Sequence, residues 1–100
     1  MNAIVDVSVI PIGVGTSLSK YVAACHQVFH KAGLETQLHA NGTNIEGDWD
    51  TIFTALKSCH QELHDMGAPR IATTIRLGTR VDRLQSMDDK IRSVEEKIER

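Results

Sequence analysis

The stretch from Leu34 to Gly47, which reads LETQLHANGTNIEG, decides the fold because it holds a tight turn between two short strand patterns. The segment from Leu34 to His39 alternates in polarity, and Thr43 to Gly47 is the strand that returns beside it. Asn41-Gly42 lies between them, and this pair favours a type I′ turn, in which both central residues need a positive φ. We therefore predict a β-hairpin centred on Asn41-Gly42.

A strand and a helix precede this hairpin. Ile4 to Ile12 alternates with its valines on the side that faces the core, and this period of two predicts a strand. Apolar residues then recur at three- and four-residue spacing from Leu18 to Ala32, which predicts an amphipathic helix. Thr16 or Ser17 is the expected cap of that helix, and Gly33 ends it. The first half of the chain is thus strand, helix, strand.

The same order follows the hairpin. Asp48 is the predicted N-cap of a second helix, which ends at Gly67, and Arg70 to Arg80 alternates as a final strand. A tail helix then begins with a capping box formed by Ser86 and Asp89. The tail helix carries an apolar stripe formed by Ile91, Val94 and Ile98. Its other positions include the charged residues Glu95, Glu96, Lys97, Glu99 and Arg100.

Two strand–helix–strand halves joined by a hairpin predict a ferredoxin-like βαββαβ sandwich of the α+β class, in a single domain over residues 1–100. Such a domain has an antiparallel four-stranded sheet with two helices on one face, here followed by a C-terminal helix. The other face is open in a monomer, and the stripe of the tail helix needs a partner. We expect oligomerisation through sheet faces or edges, with the tail helix contributing.

Composition restricts the function. The chain has 100 residues and a formal net charge of −2, with no basic block, so it lacks the electrostatic footprint of a nucleic-acid binder. No apolar stretch is long enough to cross a bilayer, and Met1 to Pro11 lacks a basic leader region, so we expect neither secretion nor membrane insertion. Cys25 and Cys59 are expected to be free buried thiols in a reducing cytoplasm, with a disulfide between them as the less favoured alternative.

Histidine and cysteine motifs favour neither a metal site nor an enzyme. His26/His30 and His60/His64 have the spacing of two metal ligands on one helical face, but neither pair has a third ligand, so we expect no metal. Each cysteine precedes a histidine, and adjacent residues on a helix point about 100° apart, so nucleophile and base would not meet. No acid–base pair has a recognisable spacing, and we expect no catalysis and no cofactor.

A glycine loop joins the first strand to the first helix, where backbone N–H groups can hold an anion. It lacks the third glycine of a dinucleotide fingerprint, because Leu18 stands there, and it lacks the lysine of a P-loop. A turn before a capped helix is the favoured interpretation, and binding of sulfate or phosphate is the alternative. The residues that would bind the anion are Gly13, Gly15, Thr16 and Ser17.

A polar set, most of which projects from the open face, offers a second candidate site; it comprises Asp6, Ser8, Thr43, Asn44, Glu46, Thr74 and Arg76. A carboxylate there, closed in between two subunits, suits an aminopyrimidine, because two donors on the ring edge can pair with its two oxygens. Trp49 is placed to stack on a flat or cationic ring. Simple packing at the start of the second helix explains Trp49 equally well, and both interpretations stay open.

Four segments of the chain resemble the thiamine-binding protein family, which is related to the thiamine-binding YkoF domains. They are Pro11 to Ser17, Thr43 to Asp50 (TNIEGDWD), Met66 to Arg70, and Thr79-Arg80, and the Thr-x-Ile-Glu-Gly-x-Trp segment is the specific part. The resemblance covers nearly the whole chain. It implies a ferredoxin-like fold assembled as a tetramer, a dimer of dimers, with ligand sites near subunit contacts. It also implies binding of thiamine or its hydroxymethylpyrimidine part without known catalysis.

The resemblance and the polar set together predict a non-catalytic cytoplasmic homotetramer that binds thiamine or a related aminopyrimidine. Glu46 would pair with the aminopyrimidine edge and Trp49 would form a wall of the pocket. The predicted ligand-binding residues are Ser8, Thr43, Asn44, Glu46 and Trp49. The alternative is a structural or regulatory oligomeric module of unknown ligand, which would bind sulfate or phosphate at most.

Overall fold

A computed structural model describes residues 1–98, in which four strands and three helices follow one another along the chain. The strand order is β2-β3-β1-β4, and every neighbouring pair is antiparallel. The ferredoxin-like prediction is confirmed. The elements are β1 (Asn2–Ile12), α1 (Ser19–Lys31), β2 (Glu35–His39), β3 (Gly42–Asp48), α2 (Trp49–Asp65), β4 (Arg70–Thr79) and α3 (Met87–Glu95). The charges predicted at Glu99 and Arg100 lie outside the described residues.

The core lies between the sheet and the pair α1 and α2. Val5 and Val7 of β1 are buried on this side, as their alternation predicts, while Asp6 and Ser8 between them point to the opposite face. Aliphatic and aromatic side chains from both helices complete the core. The largest fully buried side chains, from strands and helices together, are Phe29, Ile45, Ile52, Leu63, Val5 and Cys59.

Two of the three predicted helix caps are confirmed. The Asp48 carboxylate accepts hydrogen bonds from the backbone N–H groups of Asp50 and Thr51, at 3.2 and 3.4 Å. Ser86 and Asp89 form the capping box of α3. The predicted cap of α1 at Thr16 or Ser17 is wrong, because α1 starts only after Leu18 and has no side-chain cap there. The two hydroxyls therefore precede the cap position and lie in the loop.

The predicted hairpin is present, but its turn type is wrong. His39 pairs with Gly42, so the two turn residues are Ala40 and Asn41, one position earlier than predicted, and neither has a positive φ. Gly42 has a different physical role. A Cβ atom on Gly42 would lie 2.7 Å from the carbonyl oxygen of Val7, so the close approach of β3 to β1 requires glycine at this position.

The strands β1 and β3 end at different levels. Their pairing stops at Val7 and Thr43, whereas the pairing of β1 with β4 continues to Ile12 and Arg70. The last part of β1 therefore has a neighbour on one side only. This notch beside the hairpin positions the candidate site described below.

The tail helix α3 covers part of the open face. Met87 is buried there, and its backbone N–H donates to the Glu46 carboxylate at 2.6 Å. The predicted stripe of Ile91, Val94 and Ile98 stays exposed; Val94, for example, keeps 62% of its surface accessible. The stripe thus has no full partner within the described residues. In residues 1–98 no helix combines the length and the apolar character needed to cross a membrane.

Gly42→Ala is expected to destabilise the protein by about 1 to 3 kcal/mol, because the new methyl group would collide with a backbone oxygen that cannot move without disturbing β1. Gly78→Ala in β4 is the matched control, since a Cβ atom there meets nothing within 4 Å. Urea denaturation of the two variants measures the difference. Equal stability of both variants would contradict the close approach.

Candidate functional site

The notch beside the hairpin opens into a groove of about 860 Å³ between α1, the end of β1 and the β2–β3 hairpin. We call it the hairpin groove. It is lined by residues 7–10 of β1, residues 38–43 of the hairpin, and the inner side of α1, including Val22, His26 and Phe29. Its walls are mainly apolar, and its volume lies in the range of small-molecule sites.

A hydrogen-bonded pair lies at the base of the hairpin groove. Thr43 is 5% exposed, and its hydroxyl oxygen is 2.9 Å from Nε2 of His26. Burial, and secondarily the neighbouring His30, lowers the pKa of His26, so the imidazole is neutral at neutral pH. A neutral imidazole can accept the hydroxyl proton or donate its own, so Thr43 can present either an acceptor or a donor to a ligand.

A second, smaller pocket of about 450 Å³ lies on the open face around Asp6. Asp6 accepts from Arg76 at 2.7 Å and from Nε2 of His39 at 2.8 Å, and these two partners hold the pKa of the Asp6 carboxyl below its usual value. The Nδ1 atom of His39 faces the backbone N–H of Asn41 at 3.4 Å. Both ring nitrogens are therefore engaged, and His39 is not placed as a base for Ser8, which lines the same pocket.

The structure brings two of the five predicted ligand-binding residues together. Ser8 and Thr43 both line the hairpin groove, but their side chains lie on opposite faces of the sheet: Thr43 points towards the helices, and Ser8 points to the open face, where it also lines the pocket around Asp6. Asn44 lies on the open face, where its amide donates to Gln37 at 3.5 Å, and Glu46 on the same face is held by α3.

Trp49, the fifth predicted residue, lies at the far end of the domain. It follows Asp48, which pairs with Asn2, six residues along β1 from Ser8 and thus roughly 20 Å away. Its ring packs on Phe53, with the ring centroids 5.1 Å apart. Within one chain Trp49 and Ser8 therefore do not share a pocket.

The predicted anion loop leads to the mouth of the hairpin groove. Gly13 and Gly15 have positive φ, Thr16 and Ser17 are exposed, and the next residues, Leu18 and Ser19, line the groove. Because α1 has no side-chain cap, the first backbone N–H groups of this helix, which begins at Ser19 beside the groove, have no side-chain partner.

Sequence reasoning did not single out His26 as a groove residue. The spacing of apolar residues placed it beside the stripe of α1, and only the fold shows that Thr43 of β3 lies opposite. Its counterpart in α2, His60, is 2.6 Å from the hydroxyl of Thr73. A threonine on the core side of a strand, with a histidine at the edge of a helix stripe, is the signal that could have found both pairs.

The cysteines and histidines form no other site. Cys25 and Cys59 are free and buried, as predicted, with the Cys59 thiol 3.9 Å from the backbone oxygen of Cys25. Contact with Cys25, followed by burial, raises the pKa of the Cys59 thiol, so it stays protonated and unreactive. In the part of the chain that the structure describes, no three His, Cys, Asp or Glu side chains cluster closely enough to hold a metal ion.

The chain matches known proteins along nearly its whole length. A UPF0045 protein of Synechocystis is 57% identical over 99 residues, which span 99% of this chain and 82% of that protein. The crystal structure of a Methanocaldococcus jannaschii protein superposes with a TM-score of 0.88 at 33% identity, covering 95% of this chain and 97% of the other.

A Thermotoga maritima protein described as a putative thiamine biosynthesis/salvage protein shares the fold, with a TM-score of 0.79 at 15% identity over 94% of this chain and 99% of that one. The family model of the thiamine-binding proteins matches residues 5–95, which include the residues that line the hairpin groove. The chain belongs to the thiamine-binding protein family.

Proposed function

We propose that this protein binds thiamine or its hydroxymethylpyrimidine part in the hairpin groove, without catalysing a reaction, as a homotetramer in the cytoplasm. One observation carries the proposal. The groove holds the hydrogen-bonded pair Thr43 and His26 among mainly apolar walls, in a chain of the thiamine-binding family. A few placed polar groups in an apolar cavity are typical of sites that recognise a flat heterocycle.

The chemistry of the groove suits an aminopyrimidine. Val22 and Phe29 offer apolar surface to the ring, while the hydroxyl of Thr43 can pair with its amino group or with a ring nitrogen. The neutral state of His26 favours this binding mode, since it adds no positive charge beside a ligand that carries a cationic thiazolium.

A ligand role for Asn44, Glu46 and Trp49 requires a different arrangement, with a site at a contact between subunits. In this chain Glu46 lies at the N-terminus of α3, where a carboxylate is favoured by the helix dipole and by the free N–H of Met87. We therefore assign Glu46 to the docking of α3 and the groove residues to the ligand.

Assembly into a tetramer is supported by the apolar surface that one chain leaves uncovered. Within the described residues, β4 pairs with β1 and with no other strand, and its residues Ile75 and Leu77 are more than a third exposed. Val94 of α3 and Ile98, which follows this helix, add to the exposed apolar surface. Sheet edges and apolar stripes of this kind are usually covered by another chain.

A second candidate is an oligomeric module that binds sulfate or phosphate at the loop of Gly13, Gly15, Thr16 and Ser17. The observation that favours it is the first turn of α1, which has no side-chain cap and begins at Ser19 beside the groove. In this case sulfate would bind alone, and thiamine would not compete with it.

Thr43→Val is expected to weaken thiamine binding about tenfold, because it removes the hydroxyl and keeps the shape of the side chain. Thr73→Val is the matched control: it breaks the equivalent pair with His60, outside the groove. Isothermal titration calorimetry with thiamine and with hydroxymethylpyrimidine gives both affinities. Absence of binding by the folded wild type, or equal losses in both variants, would refute the proposed site.

Glu46→Gln distinguishes a ligand site in the hairpin groove from a site that includes Glu46. We expect stability to fall by about 1 kcal/mol, because the amide accepts the Met87 N–H more weakly than the carboxylate does, and thiamine affinity to stay unchanged. Thermal unfolding and calorimetry on the same sample measure both quantities. A loss of affinity without a loss of stability would assign Glu46 to the ligand.

Val94→Asp is expected to dissociate the tetramer, because it places a carboxylate in the exposed stripe of α3. Val81→Asp is the control, since Val81 is also exposed but lies in the loop before α3. Sedimentation velocity reports the species present. A monomeric wild type would remove the assembly from the proposal and leave the groove intact.

A further inference from the structure

The backbone of β1 points in a defined direction at each residue. In an antiparallel pair, residues whose backbone N–H and C=O both bond to the partner strand alternate with residues whose N–H and C=O point away from that strand. The carbonyl oxygen of Val7 lies close beside Gly42, 2.7 Å from where a Cβ atom of that glycine would be. The backbone N–H and C=O of Val7 therefore point towards β3. Val9, two residues later, therefore points its N–H and C=O to the same side.

At Val9 that side no longer holds a strand. The pairing of β1 with β3 has stopped at Val7 and Thr43, so Val9 has no partner residue in β3, and within residues 1–98 the hydrogen bonds of turns and loops do not include its N–H or C=O. Val9 instead lines the hairpin groove. One donor and one acceptor, fixed side by side by the β-sheet, thus face the cavity, and backbone groups of this kind are rarely left without a partner.

Pro11 independently supports the direction of these backbone groups. It lies two residues after Val9, so its backbone faces the same side as those of Val7 and Val9, and it pairs with Ile71 of β4 on the other side. A proline within a strand is tolerated where its missing N–H would face no neighbouring strand. The chain therefore already has a proline at the equivalent position, two residues beyond Val9, without loss of the β1–β4 pairing.

We propose that the backbone N–H and C=O of Val9 bind the ligand directly, by pairing with a planar heterocycle that carries a ring nitrogen next to an exocyclic amino group. The N–H would donate to the ring nitrogen, and the amino group would donate to the C=O. This inference rests on the proposed function and names the part of the ligand that is recognised. Val9 would act as a specificity-determining residue through its backbone.

A small heterocycle fits this edge better than an extended peptide. A peptide that adds a strand needs a donor and an acceptor at every second residue of the edge. Here the next residue of the same phase is Pro11, which offers only a carbonyl, and the hairpin turn at Ala40-Asn41 limits the edge on the other side. The edge therefore supplies one bidentate contact, which matches one ring edge.

Val9→Pro tests the donor, because it removes the N–H without touching a hydrogen bond of the sheet. We expect at least a tenfold loss of affinity for hydroxymethylpyrimidine by calorimetry. Val9→Ala is the matched control, since it shortens the side chain and keeps the N–H, and its affinity should change less than threefold. Hydroxymethylpyrimidine without its amino group tests the acceptor and should bind the wild type at least tenfold more weakly.

A measurement on the wild type keeps the inference testable if Val9→Pro does not fold. Hydrogen exchange of the 15N-labelled protein should show the Val9 amide slowed at least tenfold by saturating hydroxymethylpyrimidine, with the amide of Ser8, which pairs with β4, as the internal reference. If the wild type binds the ligand while the Val9 amide exchanges unchanged, or if a folded Val9→Pro binds normally, the inference is wrong and the proposed function stands. If the wild type does not bind the ligand, both fail.

Discussion

The pairing of β1 with β3 stops at Val7 and Thr43, five residues before β1 ends, and the candidate site depends on that stop. The cause lies in the hairpin. Its two-residue turn brings the chain back at Gly42, so β3 cannot extend further along β1. A longer hairpin would pair with Val9 and fill the space beneath α1. The short turn instead leaves a groove with an unpaired strand edge in its wall.

Much of the fold could be predicted because it depends on local patterns. The valines of β1 alternate with polar residues, the helices repeat every three to four residues, and Asp48 and the Ser86–Asp89 box mark helix starts, so each element follows from its own segment. The predictions about Asn41-Gly42 and about Thr16 or Ser17 failed for a shared reason. A motif of two residues is compatible with several backbone conformations, and contacts with distant parts of the chain determine which one forms. The need for glycine at position 42 comes from the close approach of Val7, which is distant in the sequence, and not from a positive φ at Gly42.

The site was harder to predict than the fold because it consists of contacts between distant segments. Ser8 and Thr43 come from different strands, and His26 from a helix, so no single motif contains them. The predicted polar set combined residues of both faces: Thr43, by the strand period, points to the helices, whereas Asn44 and Glu46 lie on the open face. The specific motif that marks the family, Thr43 to Trp49, runs the whole length of β3. Its first residue lines the groove, its glutamate holds α3, and its tryptophan begins α2.

The two halves of the chain show why such a groove forms on one side only. Cys25 and Cys59, and likewise His26 and His60, occupy corresponding positions in α1 and α2, and each histidine bonds a threonine of a nearby strand. The halves differ in their strands. On the side of Thr73, β4 pairs with β1 from Ala3 to Ile12, so the sheet beneath His60 has no notch. On the side of Thr43 the pairing of β3 with β1 stops at Val7, and the corresponding pair of His26 and Thr43 lies in a cavity. The difference between a structural hydrogen bond and a candidate binding contact is therefore set by strand length and not by the residues of the pair.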